Sequence, residues 1–416
     1  MGMLECCMVA GLLAATPKAA AATPNPLPAV ETLRDFFGEG KFSAELRVRH
    51  EHVEDDAFAA QADALTLRSR FGFRSAAWSG VSGYLEAESV YALHEDYNST
   101  ANRRVGFPVV ADPEGSEINQ AYIAYGFNSA TQVLLGRQRL NYDNQRFFGS
   151  VAFRQNEQTF DAASLQWSRA DLVLRLAYLD KVHRVFGNSN PNASLRQQDL
   201  AALLVNASYR FSNDWFPGLS GGQLTGYGYF IENEDVVASS ARTIGLRWTS
   251  GLPLSEQIRW FYAVELAQQD DFRGGNPSID ASYRLFESGL NWFDGKYQVK
   301  LGQERLGGNG RSAFQTPFAT LHAFNGWTDR FLVTPADGLR DRYLDASAKI
   351  GPGLLSVQWH RFDAERNRRS YGTETGIQYQ WPLNPQLTAT LKAGKYEAKD
   401  FAADVFKAWM FLDYRR

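Results

Sequence analysis

Residues 64–75 read ALTLRSRFGFRS. Leu65, Leu67, Phe71 and Phe73 fall on one parity, and Thr66, Arg68, Arg70 and Arg74 on the other. A strand points successive side chains to opposite faces, so this stretch has one apolar face and one face crowded with guanidinium groups. The same period of two runs through KFSAELRVR (41–49), QIRWFYAVELAQ (257–268) and KYQVKLGQE (296–304). We count about 18 such segments of roughly 9–13 residues, starting at 41–50 and ending at 405–414, the length that crosses a bilayer at barrel tilt.

The connections alternate. Long ones cover 51–63, 93–116, 141–157, 182–199, 270–281 and 307–340; short ones include 128–130, 169–170, 294–295, 351–352 and 382–386. A soluble sandwich has no reason to keep one set of connections long. A transmembrane barrel has one, because its periplasmic turns are short and its outer loops long. The expected fold is all-β: an antiparallel up-and-down transmembrane β-barrel of about 18 strands, with both termini periplasmic. In such a barrel the apolar side chains face lipid and the polar ones line a wet lumen. By this parity Arg47, Arg49, Arg68, Arg70, Arg74, Arg175 and Lys300 point inward, with Glu86, Glu88 and Glu265 among the inward carboxylates.

Composition removes other classes. The 416 residues carry 43 Lys and Arg against 46 Asp and Glu, which argues against nucleic acid as a partner. No apolar run approaches the ~18 residues of a membrane-spanning helix. Residues 1–22 read as a secretory signal ending in Ala20-Ala21-Ala22, and they contain both cysteines, Cys6 and Cys7. Residues 23–40 are then a periplasmic segment, and 41–416 the barrel.

Residues 136–165 read GRQRLNYDNQRFFGSVAFRQNEQTFDAASL and place Arg146 and Arg154 beside Phe147, Phe148 and Phe153. A surface loop seldom carries three such rings, so 141–157 is expected to fold into the barrel mouth. This stretch, together with VADPEGSEINQAYIAY (110–125), YNSTANRRVGFPV (97–109) and FQTPFATLHAFNGWTDRFL (314–332), resembles the alginate-export family of Gram-negative outer-membrane porins. The resemblance runs from about residue 41 to the end. It implies a barrel with an electropositive pore for an anionic uronate polymer. Its carried-over pore residues are Arg137, Arg139, Arg146 and Arg154, with Asn141, Asp143, Asn144 and Asp161 as their pairing partners. Two features depart from the family: the turn at 382–386 leaves no room for a long periplasmic plug loop, and the chain ends Tyr414-Arg415-Arg416 rather than in an aromatic residue.

His50 and His52 share a strand parity beside Glu54, Asp55 and Asp56, but no further ligands are placed, and no metal or cofactor is expected. Without a G-x-S-x-G nucleophile motif, enzymatic activity is not expected. Gly307-Gly308-Asn309-Gly310 reads as a flexible outer loop. Trp78, Trp167, Trp292, Trp381 and Trp409 read as interfacial girdle residues, although Trp409 has lumenal parity. The expected function is an outer-membrane channel with an Arg-rich lumen for anionic solutes, with export of alginate-like uronates as what the resemblance implies. The alternatives are a small-solute uptake porin and, further off, a barrel enzyme. Expected partners are membrane lipid and lipopolysaccharide, the barrel assembly machinery, and an anionic solute or uronate polysaccharide.

Overall fold

The computed structural model describes residues 29–212 and 221–416. The expected signal at 1–22 lies outside the described residues. Eighteen long strands form the wall. They are β1 (Lys41–Asp55), β2 (Ala62–Arg74), β3 (Val81–Asp96), β4 (Gly115–Asn128), β5 (Thr131–Gln138) and β6 (Thr159–Arg169). They continue with β7 (Leu172–His183), β8 (Gln197–Arg210), β9 (Gln223–Asn233), β10 (Ala241–Pro253), β11 (Ile258–Asp271) and β12 (Asp280–Trp292). The last six are β13 (Tyr297–Leu306), β14 (Leu339–Ile350), β15 (Gly353–Asp363), β16 (Ser370–Pro382), β17 (Leu387–Ala398) and β18 (Val405–Arg415).

Each strand pairs antiparallel with its sequence neighbours, and β1 closes the sheet on β18 with Glu45 opposite Arg415 and Asp55 opposite Val405. Closure matters in lipid, where an open edge would leave backbone groups without partners. At the foot of the wall, Ala29–Val30 pairs in parallel with Ala77–Trp78, and a short helix at Leu33–Gly38 follows.

The parity of the sequence is the parity of the wall. Phe71, Ile123, Leu135, Leu246, Phe286 and Leu301 are each more than half exposed, while Arg47, Arg49, Arg68 and Arg70 are buried. An exposed apolar belt around a charged interior is the inverse of a soluble core and fits lipid outside. Trp78, Trp167, Trp292 and Trp381 sit at the short-turn rim. Trp409 instead faces inward and is buried, because its cross-strand partner is the inward Lys392.

Short turns carry local turn chemistry. Asn384 Oδ1 accepts from the backbone of Gln386 and Leu387, both at 2.9 Å, so the turn between β16 and β17 is tight. One connection expected to be long differs: β1 extends to Asp55 and β2 begins at Ala62, so 51–63 is mostly hairpin rather than loop. Paired strand projecting beyond the bilayer keeps its ladder, which free loop would forgo.

A constriction built by two inward loops

Two connections turn into the barrel: 139–158 between β5 and β6, and 307–338 between β13 and β14. They are stitched together. Gly149 N donates to Phe318 O (2.9 Å), Thr320 N donates to Gln145 O (3.0 Å), and the Gln158 amide donates to both Gly149 O and Phe318 O (2.9 Å each). The first loop was expected to fold inward. The second, read at its Gly-rich start as a flexible outer loop, folds inward as well, with Phe314, Phe318 and Trp327 buried.

On one side of the lumen the loops dock on aromatic rings. The Phe148 ring lies 5.0 Å from Tyr229 and 5.7 Å from Phe318, and Phe147 lies 5.2 Å from Tyr227 and 5.6 Å from Tyr283. Such contacts combine area burial with favourable ring geometry.

On the other side the loops dock by charge. Arg154 bridges Glu51 of the wall (3.2 Å) and Asp329 of the second loop (3.0 Å). Arg49 contacts Glu51 and Asp112 and donates to Phe153 O at 2.7 Å. Arg47 binds Asp413 at 2.6 Å and donates to Ala152 O. Glu157 takes Arg70 (2.7 Å) and Arg139, while Arg139 also reaches Glu86 at 2.7 Å and Arg70 reaches Glu88. Burial works against charge on Glu157, yet Arg139, Arg70 and Arg68 hold its carboxyl well below the usual carboxylate range.

Arg146 crosses to the far wall and grips Glu304 bidentately at 2.7 and 3.2 Å, with Asn325 and Thr316 accepting its remaining N–H groups. The tip of the second loop approaches Glu374 so closely that a Cβ on Gly326, which has φ +86°, would lie 2.3 Å from its carboxylate. Glu374 there accepts from the backbone N–H groups of Trp327 and Thr328.

His322 stacks on Phe153 at 3.5 Å, with Nδ1 bonded to Asp329 (2.9 Å) and Nε2 to Lys392 (2.7 Å). Burial first, and then the nearby Lys392 charge, lower the imidazole to about 3. Its neutral ring therefore donates from Nδ1 and accepts at Nε2.

The residues expected at the site separate into two groups. Arg47, Arg49, Arg70, Arg137, Arg139, Arg146, Arg154 and Lys300 are all in ion pairs; Arg137 binds Asp161 at 2.9 Å, and Lys300 binds Glu287 at 2.6 Å and Asp345 at 3.1 Å. Among the described residues Arg68 pairs with Glu45 alone, at 3.5 Å. Arg74 and Arg175 have no ion pair among the described residues: Arg74 donates to Tyr122 OH (3.2 Å) and Arg175 to Gln166 (3.2 Å). Arg210 and Arg259, also inward and toward the short-turn rim, likewise lack a carboxylate partner among the described residues.

The expected pairings need correction. Of the four partners named, only Asp161 pairs with one of the arginines. Asn141 accepts from Ser150 N (2.8 Å), Asp143 accepts from Asn206 (2.8 Å), and Asn144 caps the Arg146 backbone N–H (3.3 Å). These three residues shape the loop's turns, where Asn and Asp bond readily to backbone, and Asp143 has φ +52°. Glu304, whose strand parity already pointed it into the lumen, does pair, with Arg146; the other partners, Glu51, Asp112, Glu157 and Asp329, were not singled out. Glu157 and Asp329 lie inside stretches already quoted, and the rings around Asp329 carried the same inward signal as Phe147 and Phe148.

Between the loops and the outer rim lies a cavity of about 350 Å³. Its walls are mostly apolar, including Val53, Phe58, Val185 and Leu332, with Arg154, Arg184 and Arg330 also lining it. Arg184 donates to Pro317 O at 2.8 Å, has no ion pair among the described residues, and is lowered to about 10 by burial.

Residues 39–182 match the family profile described as alginate export. Over that segment, about a third of its length, the chain is similar to the alginate-export family of outer-membrane porins. No curated protein matches this porin significantly. Among solved structures its fold is similar to that of Pseudomonas aeruginosa OccK9 (OpdG), with TM-score 0.70 and 14% identity over 91% of this chain and 99% of that one. It is also similar to P. aeruginosa OpdK with vanillate (TM-score 0.68, 13% identity, 92% and 99% covered) and to Acinetobacter baumannii OccAB4 (0.69, 12%, 91% and 98%). At these identities the likeness is one of fold. The porin's place is the Gram-negative outer membrane.

Proposed function

We propose that this porin is a narrow channel for small anionic solutes. The pattern of pairing supports the reading. At the constriction nearly every inward cation is matched to a carboxylate, so those arginines fasten loops rather than attract solute. On the short-turn side, Arg74, Arg175, Arg210 and Arg259 face the lumen without a carboxylate partner among the described residues, and on the loop side Arg184 lines a mostly apolar cavity of about 350 Å³. Unpaired lumenal guanidinium groups raise local anion concentration without trapping the anion, since each holds it only transiently. Arg154 and Arg330 in that cavity are paired with its carboxylates Asp329 and Asp55, so Arg184, without an ion pair among the described residues, suits a small carboxylate with an apolar body. One structure of similar fold is that of OpdK with vanillate.

Export of a uronate polymer is the second reading, favoured by the family match. It would require 139–158 and 307–338 to leave the lumen together, breaking the buried pairs at Glu51, Glu157 and Glu304. Reversal potentials in a planar bilayer test the first reading. Wild type should prefer anions, and Arg74→Gln with Arg175→Gln should cut that preference several-fold while leaving the melting temperature unchanged. An unselective wild type would reject an anion channel.

A further inference from the structure

The outer wall carries a charge cluster that the pore does not use. On β12 to β15, near the long-loop rim, Arg284 lies opposite Arg305, Arg305 opposite Arg340, and Arg342 opposite Arg361. All five point away from the lumen, because their strand neighbours Leu285, Glu304, Asp341 and His360 point in and are buried. Directly opposed like charges destabilise a sheet, and here they occur in three consecutive pairs.

One carboxylate answers three of them. Asp363 meets Arg342 at 2.6 Å, Arg340 at 3.2 Å and Arg361 at 3.7 Å. Arg284 and Arg305 have no ion pair among the described residues, and the Nε groups of Arg340 and Arg342 are buried without a hydrogen-bond partner. The nearest outward carboxylate along the lower row, Glu397, is held by Lys395 at 2.9 Å. In the turn above, exposed Arg368 adds to the same sign, while Arg366 is paired with Asp337 at 3.7 Å.

The height of the cluster is informative. Two residues closer to the bilayer centre stand Phe286, Leu344 and Trp359, each more than a third exposed, and Leu301 lies at the same depth on β13. The guanidinium groups therefore form the upper edge of the apolar belt, at headgroup level on the side of the long loops. Arg in this position is well placed to fork onto a phosphate, giving two parallel charge-assisted bonds per pair.

We propose that this cluster binds the phosphomonoester groups of an outer-leaflet glycolipid, with the acyl chains lying along Phe286, Leu301, Leu344 and Trp359. The bound phosphates supply the countercharge that the protein omits.

The test uses the full-length barrel purified in detergent, with diphosphorylated lipid A, the same lipid dephosphorylated, and inorganic phosphate as probes. Native mass spectrometry and thermal melting read the result. Wild type should retain and be stabilised by the diphosphorylated lipid alone. Arg305→Gln with Arg342→Gln and Arg361→Gln should weaken that binding on the order of a hundredfold. Without lipid, the same variant should still fold and melt cooperatively, since Arg340 keeps Asp363 paired at 3.2 Å. Equal binding of the dephosphorylated lipid, equal stabilisation by inorganic phosphate, or undiminished binding by the variant would each overturn the proposal. The comparison of lipids in wild type stands even if the variant fails to assemble.

Discussion

The two sides of the lumen hold the same loops by different physics. Toward β9 and β12, Phe147 and Phe148 enter a nest of Tyr227, Tyr229 and Tyr283; toward β1 to β3, Arg154 and Glu157 are fixed by Glu51, Asp329, Arg70 and Arg139. The aromatic side is tolerant, because ring packing degrades gradually as shape is lost. The ionic side is not, because removing one partner strands a buried charge. The difference also decides what an arginine in this lumen does: paired, it is a fastener; unpaired, it is available to solute.

The largest expected effect breaks the ionic side. Glu157→Gln leaves Arg70 and Arg139 short of a carboxylate and should cost ~3–5 kcal/mol, with raised and noisier single-channel conductance as 139–158 loosens. Charge reversal is a related probe. Arg139→Glu sets a carboxylate beside Glu86 and Glu157, so it should lower the melting temperature more than it alters selectivity.

On the aromatic side, Phe148→Leu keeps an apolar side chain of lesser volume and should cost only ~1–2 kcal/mol, with conductance close to wild type. Equal losses at Glu157 and Phe148 by thermal melting would erase the distinction between the two sides.

The smallest effect concerns pH. In the folded state His322 stays neutral down to about 3, whereas the unfolded chain takes up that proton near the ordinary histidine value of ~6.5. The unfolded state thus binds more protons between these values, so stability falls as pH drops through that window. Asp329, held low by His322, Lys407 and Arg154 against burial, and Glu157 act in the same direction at lower pH. A melting profile should decline from near neutrality into acid, and His322→Gln should flatten its upper part. Profiles of wild type and His322→Gln that run parallel from neutrality to about pH 4 would contradict the buried neutral ring.

The wall was legible in the sequence because a barrel strand repeats every two residues and its lipid face must stay apolar over its full length. ALTLRSRFGFRS alone gave both faces, and each of the eighteen expected segments corresponds to one strand. The inward turn of 139–158 was legible from Phe147, Phe148 and Phe153, since exposed rings are costly. The pairings were not. Arg146 meets Glu304 across 158 residues of chain, and Arg154 meets Asp329 across 175, separations at which local pattern carries no information. Asn141, Asp143 and Asn144 lay near the arginines in sequence and suggested pairing, but short polar side chains in a turn bond first to backbone or to whatever wall they reach.

The central claim is that two loops, fastened across the lumen, restrict the channel to small anions. Liposome swelling tests it most directly, with the purified porin and uronate solutes of increasing length. The account predicts rapid entry of the monouronate and a sharp fall to background for oligouronates of more than a few units, with Glu157→Gln shifting the cutoff upward. Free passage of long oligouronates through the wild-type channel would contradict it and favour a polymer conduit.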